Sequence, residues 1–231
     1  MNTMTEWRSI NLGKLEKDNC LLMRNGFPCG SNNQHEIGVP QLRPMNIDNF
    51  GEIDLSSIKF VETDKNIKIY LIKENDIIFN NTNSKDLVGK TVIWNKESNI
   101  YVLSNHMTLL RFDSNCGVDP EFIAKYFYLL WINNYFQRVR RQHVNQASIS
   151  LERLRDLEIP LPPLPEQRAI ALALRAVQGA REARLREAAL ERERKAALME
   201  HLFTHGTRGE ATKMMEIGEM PESWRVVKFE K

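Results

Sequence analysis

The segment Arg138-Val-Arg-Arg-Gln-His-Val-Asn-Gln146 concentrates side chains that recognise nucleic acid. Arg138, Arg140 and Arg141 bring guanidinium forks that fit phosphate oxygens and guanine edges. Gln142, Asn145 and Gln146 bring amides that fit adenine, and His143 adds a further donor. The competing reading is that cations at the end of a helix merely complement its dipole. A second polar cluster, Asn80-Asn-Thr-Asn-Ser-Lys85, offers Asn80, Asn81, Thr82, Ser84 and Lys85, with Lys90 just beyond. As an ordinary Asn-rich turn it needs no such role. A third, Gly30-Ser-Asn-Asn-Gln-His35, offers Ser31, Asn32 and Asn33. Residues arranged for catalysis do not accompany them. There is no Gly-x-Gly-x-x-Gly run and no Gly-x-x-x-x-Gly-Lys-Ser/Thr phosphate loop. His35, His106, His143, His201 and His205 are scattered; the last two, four apart, read as an exposed helix end rather than a metal pair. The expectation is a DNA-binding protein without catalytic residues, metal or cofactor.

The elements that must position these clusters fall into two kinds. Up to about residue 158 the chain is rich in Asn, Ile, Lys and Asp, with short apolar runs broken by turn residues. Lys68–Lys73, Asp76–Asn80, Thr91–Trp94, Ile100–Leu103 and Met107–Phe112 read as a meander of strands. Asp119-Pro120-Glu121 then starts a helix, with Asp119 as cap and Pro120 in the first turn. Phe122, Tyr126, Leu129, Leu130 and Phe136 carry its spacing to about Arg141. The head is therefore expected to be α+β, a globular domain of twisted sheet flanked by helices.

Beyond it, four prolines stand within Pro160–Pro165, followed by a stretch of mostly Ala, Arg, Glu and Leu. Proline cannot sit in a helix interior but suits its first turn. The chain thus reads as a head (1–158), a proline hinge with one long helix (159–206) and a tail (207–231). The helix, expected over Glu166–Phe203, would be about 57 Å long. Ile170, Leu174, Val177, Leu185, Ala188, Ala196, Met199 and Phe203 fall on one stripe that recurs near every eleventh residue. Arg181 and Arg192 interrupt it, and Leu172 and Leu190 sit opposite. A rod longer than a small domain needs a partner, and an antiparallel helix pair supplies one.

Net charge is +2, with 42% hydrophobic and 27% charged residues, so no global field marks a nucleic-acid partner. Cys20, Cys29 and Cys116 follow no metal-ligand spacing and read as small buried thiols of a reducing compartment. No signal peptide or bilayer-length apolar run is visible, so a cytoplasmic protein with no membrane partner is expected. One internal repeat stands out: Glu6-Trp7-Arg8-Ser9-Ile10 is echoed by Glu222-Ser223-Trp224-Arg225-Val226-Val227, as if the tail opened a second copy of the head.

Ile159-Pro-Leu-Pro-Pro-Leu-Pro-Glu-Gln-Arg-Ala-Ile170 resembles the start of the spacer helix in DNA-specificity subunits of type I restriction–modification systems. His201–Gly209 resembles the spacer's exit, and Ile217–Trp224 resembles the beginning of a target-recognition domain. Asn25–Gly30 and Asp76–Gly89 look like recurrent loops of such domains. A full subunit of that family has two recognition domains and two spacers. The resemblance therefore implies a half-length form. As a homodimer with its helices antiparallel, it would read an inverted repeat split by roughly 17 base pairs at most. The implied partners are double-stranded DNA, modification (methyltransferase) subunits, a second copy of the chain and, in the full complex, restriction subunits. The rival reading is a non-catalytic helical scaffold whose head binds protein.

Overall fold

The computed structural model describes residues 7–29, 34–35, 37–97, 100–144 and 146–227. In chain order, β1 (Arg8–Asn11) and α1 (Leu12–Lys17) lead to β2 (Leu21–Asn25), β3 (Gln34–His35), β4 (Val39–Leu42) and β5 (Lys59–Val61). Next come β6 (Ile77–Asn80), β7 (Thr82–Asn83), β8 (Thr91–Ile93), β9 (Val102–Leu103) and β10 (Met107–Phe112). They are followed by α2 (Pro120–Ile132), α3 (Tyr135–Val139), β11 (Arg141–Gln142), β12 (Ala147–Ser148), α4 (Leu151–Arg155) and β13 (Glu158–Leu161). The chain ends with α5 (Leu164–His205), β14 (Thr212–Met215) and β15 (Gly218–Pro221). The fold is α+β, in two compact units, Met1–Leu174 and Arg175–Lys231.

The expected meander is replaced by an interleaved topology. The main antiparallel sheet runs β2-β10-β6-β8, so the last of these strands in the chain lies between the first two. β9 leaves that sheet and joins another, β3-β5-β4-β9, pairing parallel with β4. Burial on both faces explains why β6 and β10 are central. Ile77, Phe79 and Leu110 pack into the larger core with Phe127 and Phe136, while Ile78 and Leu109 pack into a second core around Trp94. Gly89, at φ +90°, lets the chain pass Phe136, since a Cβ there would come within 2.6 Å of that ring.

Two expected elements differ. Lys68–Lys73 is no strand; Lys68–Tyr70 is a 3-10 turn. Its backbone groups find other partners, the Ile72 N–H donating to Tyr101 O at 3.0 Å. The Asp76 carboxylate accepts the Lys73 N–H at 2.7 Å, and Arg111 donates to Leu71 O at 3.0 Å while gripping both Asp76 oxygens. The helix from Pro120 is capped as expected, Asp119 accepting the Phe122 N–H at 2.9 Å, but it stops at Ile132. Asn134, at φ 57°, turns the chain before α3, so that Phe136 meets Phe79 and Phe127 at 5.1 and 5.8 Å. The cysteine expectation also needs correction. Cys20 and Cys116 form a disulfide that joins the turn after α1 to the turn before α2, and Cys29 lies outside it.

α5 begins at Leu164, after Ile159-Pro160-Leu161 has paired with β1 as part of β13. Its first turn is held by Gln167, whose side chain is wholly buried. Gln167 Oε1 accepts the Asp119 N–H at 2.8 Å, and its Nε2 donates to Gly117 O at 3.0 Å and Pro162 O at 2.7 Å. Beside it, Glu166 Oε1 accepts the Trp7 indole N–H at 3.2 Å.

In the second unit Gly206, at φ +67°, ends the helix, and β14 and β15 form a hairpin. Trp224 stands edge-on to Phe203, 6.3 Å between centroids, and His201 stacks on His205 at 4.9 Å.

Two outcomes follow. Gln167→Glu, nearly isosteric, points a carboxylate oxygen at two carbonyls and should lower stability to denaturant by about 3 kcal/mol; an unchanged midpoint would refute the clamp. Cys116→Ser opens a loop of 96 residues of separation and should lose stability up to about 4.7 kcal/mol, with the unaltered chain matching it once reduced.

Candidate nucleic-acid interface

Two polar segments far apart in the sequence meet on one small sheet. β7 pairs with β12, Thr82 opposite Ser148 and Asn83 opposite Ala147. β12 pairs with β11, Ser148 opposite Arg141 and Ala147 opposite Gln142. Each strand has two residues and would not persist alone, so the framework beneath must hold them. Asn81 does much of this. Its backbone N–H and that of Thr82 both donate to His106 O, and its carbonyl accepts from Ile149 N at 2.9 Å. Its side chain donates to Thr108 Oγ1 at 2.9 Å and accepts from Thr82 Oγ1 at 2.7 Å, and Thr108 in turn donates to Asn25 Oδ1. Buried Ala147 and Ile149 anchor β12 in the larger core.

The outward face is cationic and polar. The side chains of Lys85 and Arg141 are exposed and make no hydrogen bond or ion pair among the described residues. Gln142 braces the β11–β12 hairpin, accepting from Arg140 Nε at 3.0 Å and donating to His143 O at 2.8 Å. His143 N donates to Gln146 O at 2.7 Å, and its ring reaches Ser148 Oγ at 3.2 Å. Ser84 and Gln146 are exposed beside them. Arg138 is turned to a different task, donating to Asn133 O at the end of α2, which is the dipole role weighed at the outset. At the hairpin tip, Val144 is 98% exposed. A two-stranded ribbon of this kind fits a major groove, with cations for phosphates and amides for base edges.

Comparison with known proteins gives the family. Residues 38–191 match the type I restriction modification DNA specificity domain. The chain belongs to the type I restriction–modification DNA-specificity family. It is 32% identical over 222 residues to the MjaX specificity subunit of Methanocaldococcus jannaschii, covering 92% of this chain and 50% of that one. It is 30% identical over 176 residues to the MjaVIII specificity subunit of the same organism, covering 74% of this chain and 38% of that one. The chain thus spans about half the length of the curated relatives it matches. The fold resembles the type I S subunit from M. genitalium at TM-score 0.60 and 16% identity, covering 90% of this chain and 48% of that chain. It also resembles the HsdS subunit from Thermoanaerobacter tengcongensis at TM-score 0.54 and 20% identity, covering 86% and 45%.

Within this specificity-family chain, three of the expected contact residues are buried. Asn80, fully buried, donates to Leu87 O at 3.0 Å, and Asn81 is the hub described above. Lys90 is 6% exposed, donates from Nζ to Ile47 O at 3.2 Å and lies over the Trp131 ring. Ser31, Asn32, Asn33 and Asn145 lie outside the described residues. Val144, Ser148, Asn83 and His106 lie on or beside the same small sheet and were not among the expected contacts. The signal for β12 was only the alternation of buried Ala147 and Ile149 about Ser148. Along α5, Ile170 is half-buried against the head, whereas Leu174, Val177, Leu185, Ala188, Ala196, Met199 and Phe203 are exposed. Among the described residues no group of three or more His, Cys, Asp or Glu is placed to hold a metal ion, and no helix is long and apolar enough to cross a membrane.

Burial lowers the pKa of Lys90 below the ordinary lysine value of 10.5, with Asp48 opposing the shift. The unfolded chain then binds more protons between the lowered value and 10.5, so this group makes stability rise with pH across that window. Lys90→Met should flatten the rise, read as unfolding midpoints over the alkaline range. Identical slopes in the two proteins would refute the assignment.

Proposed function

We propose that the chain is a sequence-specific DNA-binding specificity subunit of a type I restriction–modification complex, reading one half of a bipartite site. The observation that carries this reading is the β7–β12–β11 sheet, which brings Lys85, Arg141, Gln142, His143 and Gln146, each of them exposed, onto or beside three short strands of a family-matched head. The β11–β12 hairpin enters the major groove, Arg141 and Lys85 neutralise phosphates, and the tip reads base edges. The subunit is non-catalytic and docks modification subunits, with restriction subunits added in the full complex. The exposed stripe from Leu174 to Phe203 supports antiparallel pairing with a second copy, and a two-fold dimer matches an inverted repeat. A cytoplasmic location follows from the DNA partner rather than from the cysteines.

The test is a titration of a mixed-sequence duplex across a salt series. Affinity should fall steeply with salt. Arg141→Ala with Lys85→Ala should weaken binding at least tenfold and reduce the log–log slope by about 2, one for each lost phosphate contact. An unchanged slope would remove this face as the reader. Affinity insensitive to salt would favour the protein-binding scaffold.

A further inference from the structure

The chain carries one short Trp-Arg motif twice. The first copy, Trp7-Arg8-Ser9-Ile10, enters β1. It pairs antiparallel with β13, Arg8 opposite Leu161, Ser9 opposite Pro160 and Ile10 opposite Ile159. Trp7 sends its indole N–H to Glu166 and stands edge-on to Phe122, 6.5 Å between centroids. Ile10 packs against the larger core. The second copy, Trp224-Arg225-Val226-Val227, keeps the Trp-Arg pair and a β-branched fourth residue, with Val226 where the first has Ser9; it forms no strand, and Val226 and Val227 are 49% and 79% exposed. Its two adjacent β-branched residues suit a pleated, half-buried surface better than Ser9-Ile10 does. The present occupant of β13 lies at the surface: Trp7, Arg8 and Ser9 are exposed, and among the described residues the β1–β13 sheet has two strands.

We infer that Trp224–Val227 of one chain replaces β1 on β13 of a second copy. The inference rests on the dimer proposed above, in which antiparallel helices set the tail of each chain beside the head of the other. Exchanging like strands keeps the backbone hydrogen bonds, which makes such swaps inexpensive. Once the helices have paired, the tail acts as a tethered ligand at an effective concentration on the order of millimolar. In the exchanged state Val226 lies opposite Pro160 and Val227 opposite Ile159 of the partner chain, with the Trp224 ring in the place of Trp7, against Phe122 and Glu166.

The experiment is disulfide trapping in the full chain carrying Pro160→Cys and Val226→Cys, with the solution mass of the unlocked protein measured by light scattering. A covalent dimer on a non-reducing gel, at least tenfold more abundant than in either single variant, is expected; the single variants control for Cys29. A dimer mass without the cross-link overturns the exchange and leaves the dimer intact. A monomer mass overturns both. Hydrogen exchange on the unaltered chain gives an answer independent of the substitutions. Amides of Val226 and Val227 should be protected and those of Ser9 and Ile10 open, and the reverse pattern overturns the exchange.

Discussion

One buried amide anchors the first turn of the spacer helix. Gln167 faces an N–H at Asp119 and carbonyls at Gly117 and Pro162, a set that needs a donor and an acceptor on one short, uncharged group. Asparagine would be too short and glutamate would lack the donor. Because Asp119 also caps α2, the amide links the first turn of α5 to the first turn of the helix that backs the main sheet. Glu166, its neighbour, takes the Trp7 indole and so draws in β1. The proline run contributes what a proline can: Pro160 lies in an edge strand, and the carbonyl of Pro162 is left for Gln167.

The reading face shows a division between residues that build and residues that present. Asn80, Asn81 and Lys90 have the chemistry of DNA contacts but spend it inward, on Leu87 O, Thr108 and Ile47 O. Lys85 and Arg141 are left exposed because the strands they flank are already pinned from below. A polar network of this kind is effective when its members are satisfied, since an unpaired group at Asn81 would loosen β7, β12 and the 104–107 turn together.

What could be read in advance follows the range of the interactions involved. The Asp119-Pro120 cap and the start of α5 near Pro165 are local, and residue type alone decides them. The central strands Ile77–Asn80 and Met107–Phe112 were legible as apolar runs, but their interleaved order was not, because it depends on two cores meeting on opposite faces of one sheet. Lys68–Lys73 has the composition of a strand and becomes a turn because Asp76 and Arg111 take its backbone groups, one of them from a strand 40 residues away in the chain. The β7–β12–β11 sheet was invisible for the same reason: strands of two residues have no period, and only tertiary pairing defines them. The Cys20–Cys116 bridge was missed because spacing says nothing about which distant loops adjoin.

That bridge closes a covalent ring. β2 through β10 lie inside it, with the Ser84-Lys85 loop; β11, β12 and the whole spacer lie outside. The reading face is thus assembled across the ring's boundary, one strand from within and two from without. A cut in any loop of the ring leaves both pieces attached, whereas a cut at the β11–β12 hairpin severs the head from its spacer. The enclosed segment can lengthen or shorten its loops without changing where the ring opens onto α2 and, through Gly117, onto the spacer.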